Sequence, residues 1–597
     1  MTAVPDGNEP RRFGEPWEEE PRMPTPEVSA DLTAALIRLR TELEDAPLDL
    51  DLPGADEIRV ERKAMVSQLD DYILPRLVQA DAPLLAVVGG STGAGKSTLV
   101  NSLVGRSVTK SGVLRPTTRS PVLVHHPKDA DWFQHERILP DLKRTTNPTN
   151  DVGALHLMSV DSVPPGVAIL DAPDVDSVDA GNRALAAQLL AAGDLWLFVT
   201  SASRYADEVP WSFLRTAAER SAAVAIVLDR TTERAIQEVR GHLARMLTAR
   251  GLKDCPLFAV PESKLDAHGL LAPEVVAQLR GWLVDLAANV DVRNSIIQKT
   301  LDGAVRQVVY RTHAVADAAA TQHETGEQLA EQVSEVYDAV IEEIGSSVAD
   351  GSVLRGEVLV RWHEFVGTDL ARSFEQKVSR VRDRMMGALR GKPQAAEQVG
   401  LALERGLQMV LVERAETAAS RLAVQWRSNE AGATLVDGGG GGLARASRDL
   451  RIRADRVVRE WQREVLEMVR MEGADKRVTG QFLAYGVTGL GVTLMVVVFA
   501  GGAASTRRMP HDEADDAADA AMVGESILES VFGPETMRRL ADNARHELER
   551  RCRQLFEGEK SRYLTVLDGV SARPDSAVRL RDVARAADDV RHESGAL

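Results

Sequence analysis

The run Gly90-Ser91-Thr92-Gly93-Ala94-Gly95-Lys96-Ser97 has the spacing G-x-x-x-x-G-K-[ST] of a loop that cradles phosphate. Glycines at those positions let successive backbone N–H groups curl round phosphate oxygens, where a side chain would block the approach. A lysine in the place of Lys96 bridges the β and γ phosphates, and a hydroxyl in the place of Ser97 ligates Mg²⁺. The helix expected to start near Lys96 turns its N-terminus toward that charge. Residues Gly90 to Thr98 are therefore the candidate phosphate contacts.

Such a loop works only between a strand and a helix. The apolar run "LLAVVGG" leads into it, and five further strand-like runs come after: "SPVLVHHP", "GVAILDAP", "DLWLFVTS", "AAVAIVLD" and "PLFAVPE". Helical patterns alternate with them from Pro83 to about Ala288, which predicts an α/β domain with a mostly parallel sheet and helices on both faces. Past residue 290 the strand signals stop. Leu329, Val333, Val336, Val340 and Ile344 step by three or four along one helical stripe. Long helices are expected near 295–345, 352–390, 394–430 and 443–478, with Gly438 to Gly442 as a flexible joint.

Two further stretches bear on the nucleotide. "RPTTRSP" puts Thr117 and Thr118 in the loop before the second strand, and the third strand ends in Asp171-Ala172-Pro173-Asp174. A kinase or ABC-type ATPase fits less well, because alanine follows Asp171 where an ABC enzyme has its glutamate base and no "LSGGQ"-like run occurs. With "GSTGAGKST", "RPTT", "LDAPD", the strand "LWLFVTSASRYADEVPW" and the long helices after it, the chain resembles the bacterial dynamin-like large GTPases. The resemblance covers about residues 30–560 in architecture, with specific motifs only within 84–265.

That resemblance implies GTP and Mg²⁺ as ligands, hydrolysis of the γ-phosphate by water, and a helical stalk that binds or remodels a lipid membrane. It also implies a homo-oligomer or a paired dynamin-like partner, working at the cytoplasmic face of the cell membrane. Lys96 and Thr118 take the catalytic positions, and Ser97, Thr118 and Asp171 the metal-linked ones. Asp174, Asp229, Arg230 and Ser263 fall at further nucleotide-contacting positions.

The chain departs from the family pattern at three places. Asp174 stands where D-x-x-G has its glycine, so a carboxylate is added close to phosphate charge. The guanine-reading N/T-K-x-D is replaced by Asp229-Arg230-Thr231-Thr232, in which Arg230 can stack on a base but Thr232 stands in for the base-reading aspartate. Thr92 and Gly93 differ from the Gln-Ser of eukaryotic dynamins, which implies slow or partner-stimulated turnover. A weakly hydrolysing nucleotide-binding membrane scaffold and an ATPase therefore stay open beside the GTPase. His125-His126 is not expected to bind a metal, because adjacent residues on an extended chain point to opposite faces. Arg204, just after a strand, is expected to be structural rather than an arginine finger.

A formal net charge of -17 over 597 residues argues against a general nucleic-acid binder and for several domains. Two cysteines, Cys255 and Cys552, without metal-like spacing point to a reducing compartment. The organisation expected is a disordered tail over 1–28 without a signal-peptide core, N-terminal helices over 29–80, the GTPase domain over 81–290 and a stalk over 291–480. A transmembrane or membrane-inserting segment over 481–505 comes next, then an acidic loop over 506–520 and a returning helix and tail over 521–597. The membrane expectation rests on "FLAYGVTGLGVTLMVVVFAGGAA" (482–504), which is uncharged and as a helix would span about 34 Å. Gly486, Gly489 and Gly491 would give it a small-residue packing face. A buried stalk helix is the competing reading.

Overall fold

In the computed structural model, the described residues run over 26–593 apart from 79–81, 110–119, 135–137, 150, 178, 220–221, 251, 253–254, 350–352, 367–392, 439–441, 475–479, 501–510 and 571–572. The chain divides into two units, one of residues 1–48, 54–321 and 572–597, the other of 49–53 and 322–571.

The first unit opens with helices α1 (Pro26–Glu44), α2 (Ala55–Gln68) and α3 (Leu74–Val78), the last two joined by a π-helical turn at Leu69–Ile73. The next elements include eight strands: β1 (Leu84–Gly90), β2 (Val122–His125), β3 (Lys143–Thr145), β4 (Ala154–Ser159), β5 (Val167–Asp171), β6 (Leu195–Ser201), β7 (Ala223–Thr231) and β8 (Leu257–Pro261). They lie in the order β3-β4-β2-β5-β1-β6-β7-β8. Every neighbouring pair is parallel except β2 with β5. Six strands coincide with the apolar runs of the sequence, while β3 and β4 are additional.

Strands β1, β5 and β6 are buried along their whole length, which is why they read as unbroken apolar runs rather than alternating ones. Successive residues of β1 serve opposite faces of the sheet. Leu84, Ala86 and Val88 join one core with Leu99 and Leu103 of α4 (Lys96–Val104). Leu85 and Val87 join the other with Leu185 and Leu189, which belong to a later helix at Ala180–Ala191. In chain order α5 is Ala130–Gln134, α6 the Ala180–Ala191 helix, α7 Glu208–Glu219, α8 Glu233–Ala249 and α9 Pro273–Ala288. α6, α7 and α8 cover the Leu85 face, and α4 and α9 the Leu84 face.

A fully buried ion pair fixes the entry to β1. Arg76 of α3 donates to the Asp194 carboxylate and, at 2.9 Å, to the Pro83 carbonyl, while Asp194 also accepts the Leu85 amide at 2.7 Å. Burial pushes the Asp194 carboxyl above the usual carboxylate range, and the Arg76 charge opposes that shift. Removing one partner of such a pair strands the other charge in the interior. A further core joins Leu32, Leu36 and Leu39 of α1 to Leu301, Val305 and Val308 and to the helix at Ser576–Glu593, through Leu580 and Ala584.

The long helix α10 (Val290–Ala349) has 60 residues. The rest of the second unit is helical: α11 (Glu357–Val366), α12 (Pro393–Trp426), α13 (Glu430–Gly438), α14 (Leu450–Glu472), α15 (Gly480–Ala500), α16 (His511–Phe532) and α17 (Pro534–Val570), with α18 (Ser576–Glu593) returning to the first unit. The stripe expected in α10 is a packing face, with Leu329, Val333, Val336 and Ile344 buried and Val340 partly so. The residues 1–25 of the expected tail lie outside the described residues.

Two expectations are corrected in this unit. The acidic stretch is not a loop from residue 511 onward, where it forms the first turns of α16. Over its described residues the 481–505 segment does not form one continuous apolar span. α15 breaks at Gly486, whose backbone is non-helical (φ 67, ψ 171). Its described residues past the break, 487–500, make about 20 Å of helix, against the ~30 Å of a bilayer core. Among the described residues no helix is long and apolar enough to cross a membrane.

Leu490, Val492 and Leu494 through Ala500 are instead buried in the core of this unit. Phe499 lies 5.3 Å from the Trp461 ring, whose indole N–H donates to the Ala544 carbonyl at 2.8 Å. Of the three glycines expected to pack, Gly491 does so within this bundle, where a Cβ would stand 2.5 Å from Leu466, while a Cβ on Gly489 would make an ordinary 3.4 Å contact with Phe365 and one on Gly486 would meet nothing within 4 Å. Gly524 of α16 is a further close contact, where a Cβ would stand 2.9 Å from Val497.

Asp71, in the π-helical turn, supplies a pH-dependent term. Burial pushes its carboxyl up from 3.8 to about 6, opposed by the Gln188 amide that donates to it at 2.8 Å. The folded chain thus binds more protons than the unfolded one between those two values, so stability falls as pH rises from about 4 through 6. Asp71→Asn should remove this penalty, gaining about 2–3 kcal/mol at pH 8 and almost nothing below pH 4. Urea midpoints at the two pH values check it, and an equal change at both would refute the assignment.

Candidate phosphate-binding site

The ends of β1, β5 and β7 lie at the same edge of the sheet because these strands run parallel within it. Val88 pairs with Asp171, Gly90 with Val199 and Ser201 with Asp229, so the loop after β1 sits between the carboxylates that close β5 and β7. This edge is where an open α/β sheet binds its ligands.

Two glycines of the loop have no alternative. A Cβ on Gly90 (φ +146) would stand 2.0 Å from the Val199 carbonyl oxygen. A Cβ on Gly95 (φ +97) would stand 2.0 Å from Asp229 Oδ2. Gly93 is also left-handed, at φ 75. Gly95 caps α4, whose first residues are Lys96 and Ser97. Ser91 and Ala94 are buried, the Ala94 amide donating to the Ser91 carbonyl at 3.1 Å, and the Ser91 hydroxyl has no hydrogen-bond partner among the described residues. Thr98 is half-buried, its carbonyl accepting from Ser102 at 2.7 Å.

Lys96 is 5% exposed and its ammonium donates to the Gly90 carbonyl at 2.9 Å, to the Ser91 carbonyl at 3.1 Å and to the Asp174 carboxylate. Asp171 is fully buried. Its Oδ2 accepts from Ser97 Oγ at 2.8 Å and from Thr109 Oγ1 at 2.7 Å, while Oδ1 has no partner among the described residues. Burial raises its pKa, and the two hydroxyl donors and the Lys96 charge oppose the shift. A buried carboxylate with an unsatisfied oxygen, beside two hydroxyls, is a donor set that suits a hard dication. The residues present therefore fit Mg²⁺ held partly by protein oxygens and partly by phosphate. Among the described residues no cluster of three or more His, Cys, Asp or Glu forms a closed metal cage.

The base-side residues are placed differently from the family pattern. Asp229 is buried, its Oδ1 accepts its neighbour's amide (Arg230 N) at 2.8 Å, and its other oxygen lies against Gly95. Burial pushes its carboxyl up to about 6. Asp229 therefore braces the loop from below. Arg230 is exposed and left-handed (φ 54), a strained backbone for a residue with a side chain. Thr232 precedes α8 as its N-cap residue. Ser263, past β8, donates to the Pro261 carbonyl at 3.0 Å.

Thr117 and Thr118 lie outside the described residues. Thr109 was not among the sequence candidates. It is held by Asn101 of α4, whose side chain accepts the Val108 and Thr109 amides and donates to the Thr109 carbonyl. Asp176 was also missed. It accepts the Thr92 amide at 2.6 Å, the Thr92 hydroxyl at 2.7 Å and Arg204 Nη1 at 2.8 Å. Its signal in the sequence was the density of acids after β5, at 171, 174, 176 and 179. His125 is buried, with its ring on the His126 carbonyl (2.9 Å) and against Phe133.

Because Gly95 meets Asp229 and is left-handed, Gly95→Ala should destabilise the fold by more than about 1 kcal/mol. Thermal unfolding followed by circular dichroism checks it, and an unchanged midpoint would show that the loop has room the contacts do not indicate.

Residues 85–229 match the family model described as the dynamin family. A curated relative, the probable transmembrane GTPase FZO-like, chloroplastic, of Arabidopsis thaliana, is 22% identical over 222 residues. That match takes 36% of this chain and 23% of the relative's own length. Among solved structures, one described as an oligomerised bacterial dynamin pair providing a mechanism for the long-range sensing and tethering of membranes is 9% identical, over 92% of this chain and 96% of that one, with a TM-score of 0.37. A second, LeoA, a bacterial dynamin GTPase from ETEC, is 11% identical over 95% of this chain and 99% of its own, with a TM-score of 0.24. At TM-scores this low, neither likeness bears on this chain.

Proposed function

We propose that the dynamin-family domain at residues 85–229 binds GTP with Mg²⁺ and hydrolyses its γ-phosphate bond slowly. The observation that carries the reading is the hydrogen bond from Ser97, beside Lys96 at the head of α4, to the buried Asp171 that ends β5. Lys96 brings a positive charge, held out of water, to the phosphates, where it counts for more than it would in bulk solvent. Ser97, Thr109 and Asp171 would hold Mg²⁺, with Thr118 as a further metal-linked and catalytic residue. When bound, the ion neutralises charge that develops between the β and γ phosphates. Gly90 to Thr98 offer backbone donors and the α4 N-terminus to the phosphate oxygens.

Slow turnover is expected from the residues after Asp171. None of their side chains stands out as a general base, and Asp174 takes the place of the glycine that would offer an unencumbered amide. Base selectivity should also be weak. Asp229 faces Gly95 and its own Arg230 amide, so Arg230 stacking and the Ser263 loop are left to read the base.

Calorimetry with GDP and GTPγS tests the reading. Lys96→Ala should cost at least a hundredfold in affinity while the helical dichroism is retained. Affinity unchanged in a folded variant would overturn the site. In competition, GTP should exceed ATP by well under a thousandfold. A larger preference would show that another loop supplies the contacts a base-reading aspartate normally makes.

The second unit gives the reading its reach. We infer that its helices carry the domain to the cytoplasmic face of a lipid membrane, peripherally rather than as a span, and that copies of the chain, or a paired dynamin-like chain, assemble there. Support comes from the relative named as a probable transmembrane GTPase, which matches over 36% of this chain. Flotation with anionic liposomes should recover the full chain in a lipid- and concentration-dependent manner. Failure to float at any protein concentration, with GDP or with GTPγS, would remove the membrane from the account.

A further inference from the structure

The five-residue stretch after β5 presents two carboxylates to the phosphate loop, and they engage different donors. Asp174 is the anionic partner of Lys96, whose other partners are the neutral Gly90 and Ser91 carbonyls. Asp176 takes the Thr92 amide and hydroxyl and is itself held by Arg204. Between them Val175 is fully buried, which anchors the stretch against the domain. The loop's ammonium and one of its backbone donors are thus matched by anions belonging to the chain itself.

A phosphate chain needs the same donors, and its demand grows with its length. A lysine at this position spans the β and γ phosphates, so the terminal phosphate is the one that must share Lys96 with Asp174. Two anions competing for one buried ammonium repel each other at short range, and Lys96, at 5% exposure, has little water to screen that repulsion. A diphosphate brings only its β-phosphate to the lysine, leaves the γ position to Asp174 and carries less charge. From this we propose that Asp174, seconded by Asp176, sets the site's preference for phosphate number. The carboxylate stands in the electrostatic place of a γ-phosphate, so the chain favours a nucleoside diphosphate over the triphosphate. Asp174 acts here as a specificity-determining residue, and the inference rests on the nucleotide-site reading above.

The test measures GDP and GTPγS affinity by calorimetry in excess Mg²⁺ on the full chain and on Asp174→Asn, Asp174→Ser and Asp176→Asn, each checked by circular dichroism. The wild type should bind GDP more tightly than GTPγS. Either Asp174 variant should tighten GTPγS at least tenfold and GDP less than threefold, with a smaller shift in the same direction for Asp176→Asn. Two Asp174 substitutions keep the test decisive if one of them fails to fold. If both nucleotides bind but the ratio does not move, or moves toward GDP, the inference is overturned and the nucleotide site stands. If the wild type binds neither nucleotide, the site reading itself falls and takes the inference with it.

Discussion

The nucleotide edge of this chain depends on two points where backbone passes too close to a neighbour for any side chain. Gly90 lies against the Val199 carbonyl of β6 and Gly95 against the Asp229 carboxylate at the end of β7. Together they press the phosphate loop onto two successive strands of the sheet, and α4 starts from that fixed point. Ser97 then meets Asp171 without further adjustment, because Asp171 pairs in register with Val88, just before the loop begins. The close contacts at Gly90 and Gly95 pre-organise the loop, and its ammonium and the Thr92 amide are held meanwhile by anions of the chain itself.

Asp229 changes meaning in that light. As a sequence letter it was a departure from a base-reading motif. In the fold it is a buried brace, with one oxygen on the Arg230 amide and the other facing Gly95. Asp171 and Asp229 are two buried carboxylates flanking one loop, both pushed toward protonation by burial. Asp171 accepts from the Ser97 and Thr109 hydroxyls, while Asp229 accepts its neighbour's backbone amide, and that difference separates a metal-facing acid from a structural one.

How much of this could be read from the sequence varied with burial. The strands buried on both faces, β1, β5 and β6, appear as apolar runs and were legible. β3, of sequence KRT, is a three-residue edge strand without an apolar side chain and left no pattern to detect. The antiparallel setting of β2 is a matter of pairing, which periodicity does not encode. In the site, the phosphate loop was plain, because its chemistry is local and its spacing fixed. Thr109 was not, because what brings it to Asp171 is the side chain of Asn101 eight residues earlier. The 482–504 stretch reads as a span because hydropathy measures how much water a segment avoids and says nothing of what it avoids water with. Over its described residues, Trp461, Leu466, Val497 and Phe499 belong to packing that buries much of it.

That packing has a consequence for the newborn chain. α15 is covered in part by α16 and α17, which are made after it. Synthesis from residue 500 to residue 570 takes roughly 4–14 s at a ribosomal pace of about 5–20 residues per second. Through that interval the stretch around Leu490 to Ala500 has only its upstream neighbours for cover, and it offers insertion machinery the same apolar signal that a reader of the sequence sees. The order in which the helices leave the ribosome therefore sets how long that apolar stretch stays without its later cover.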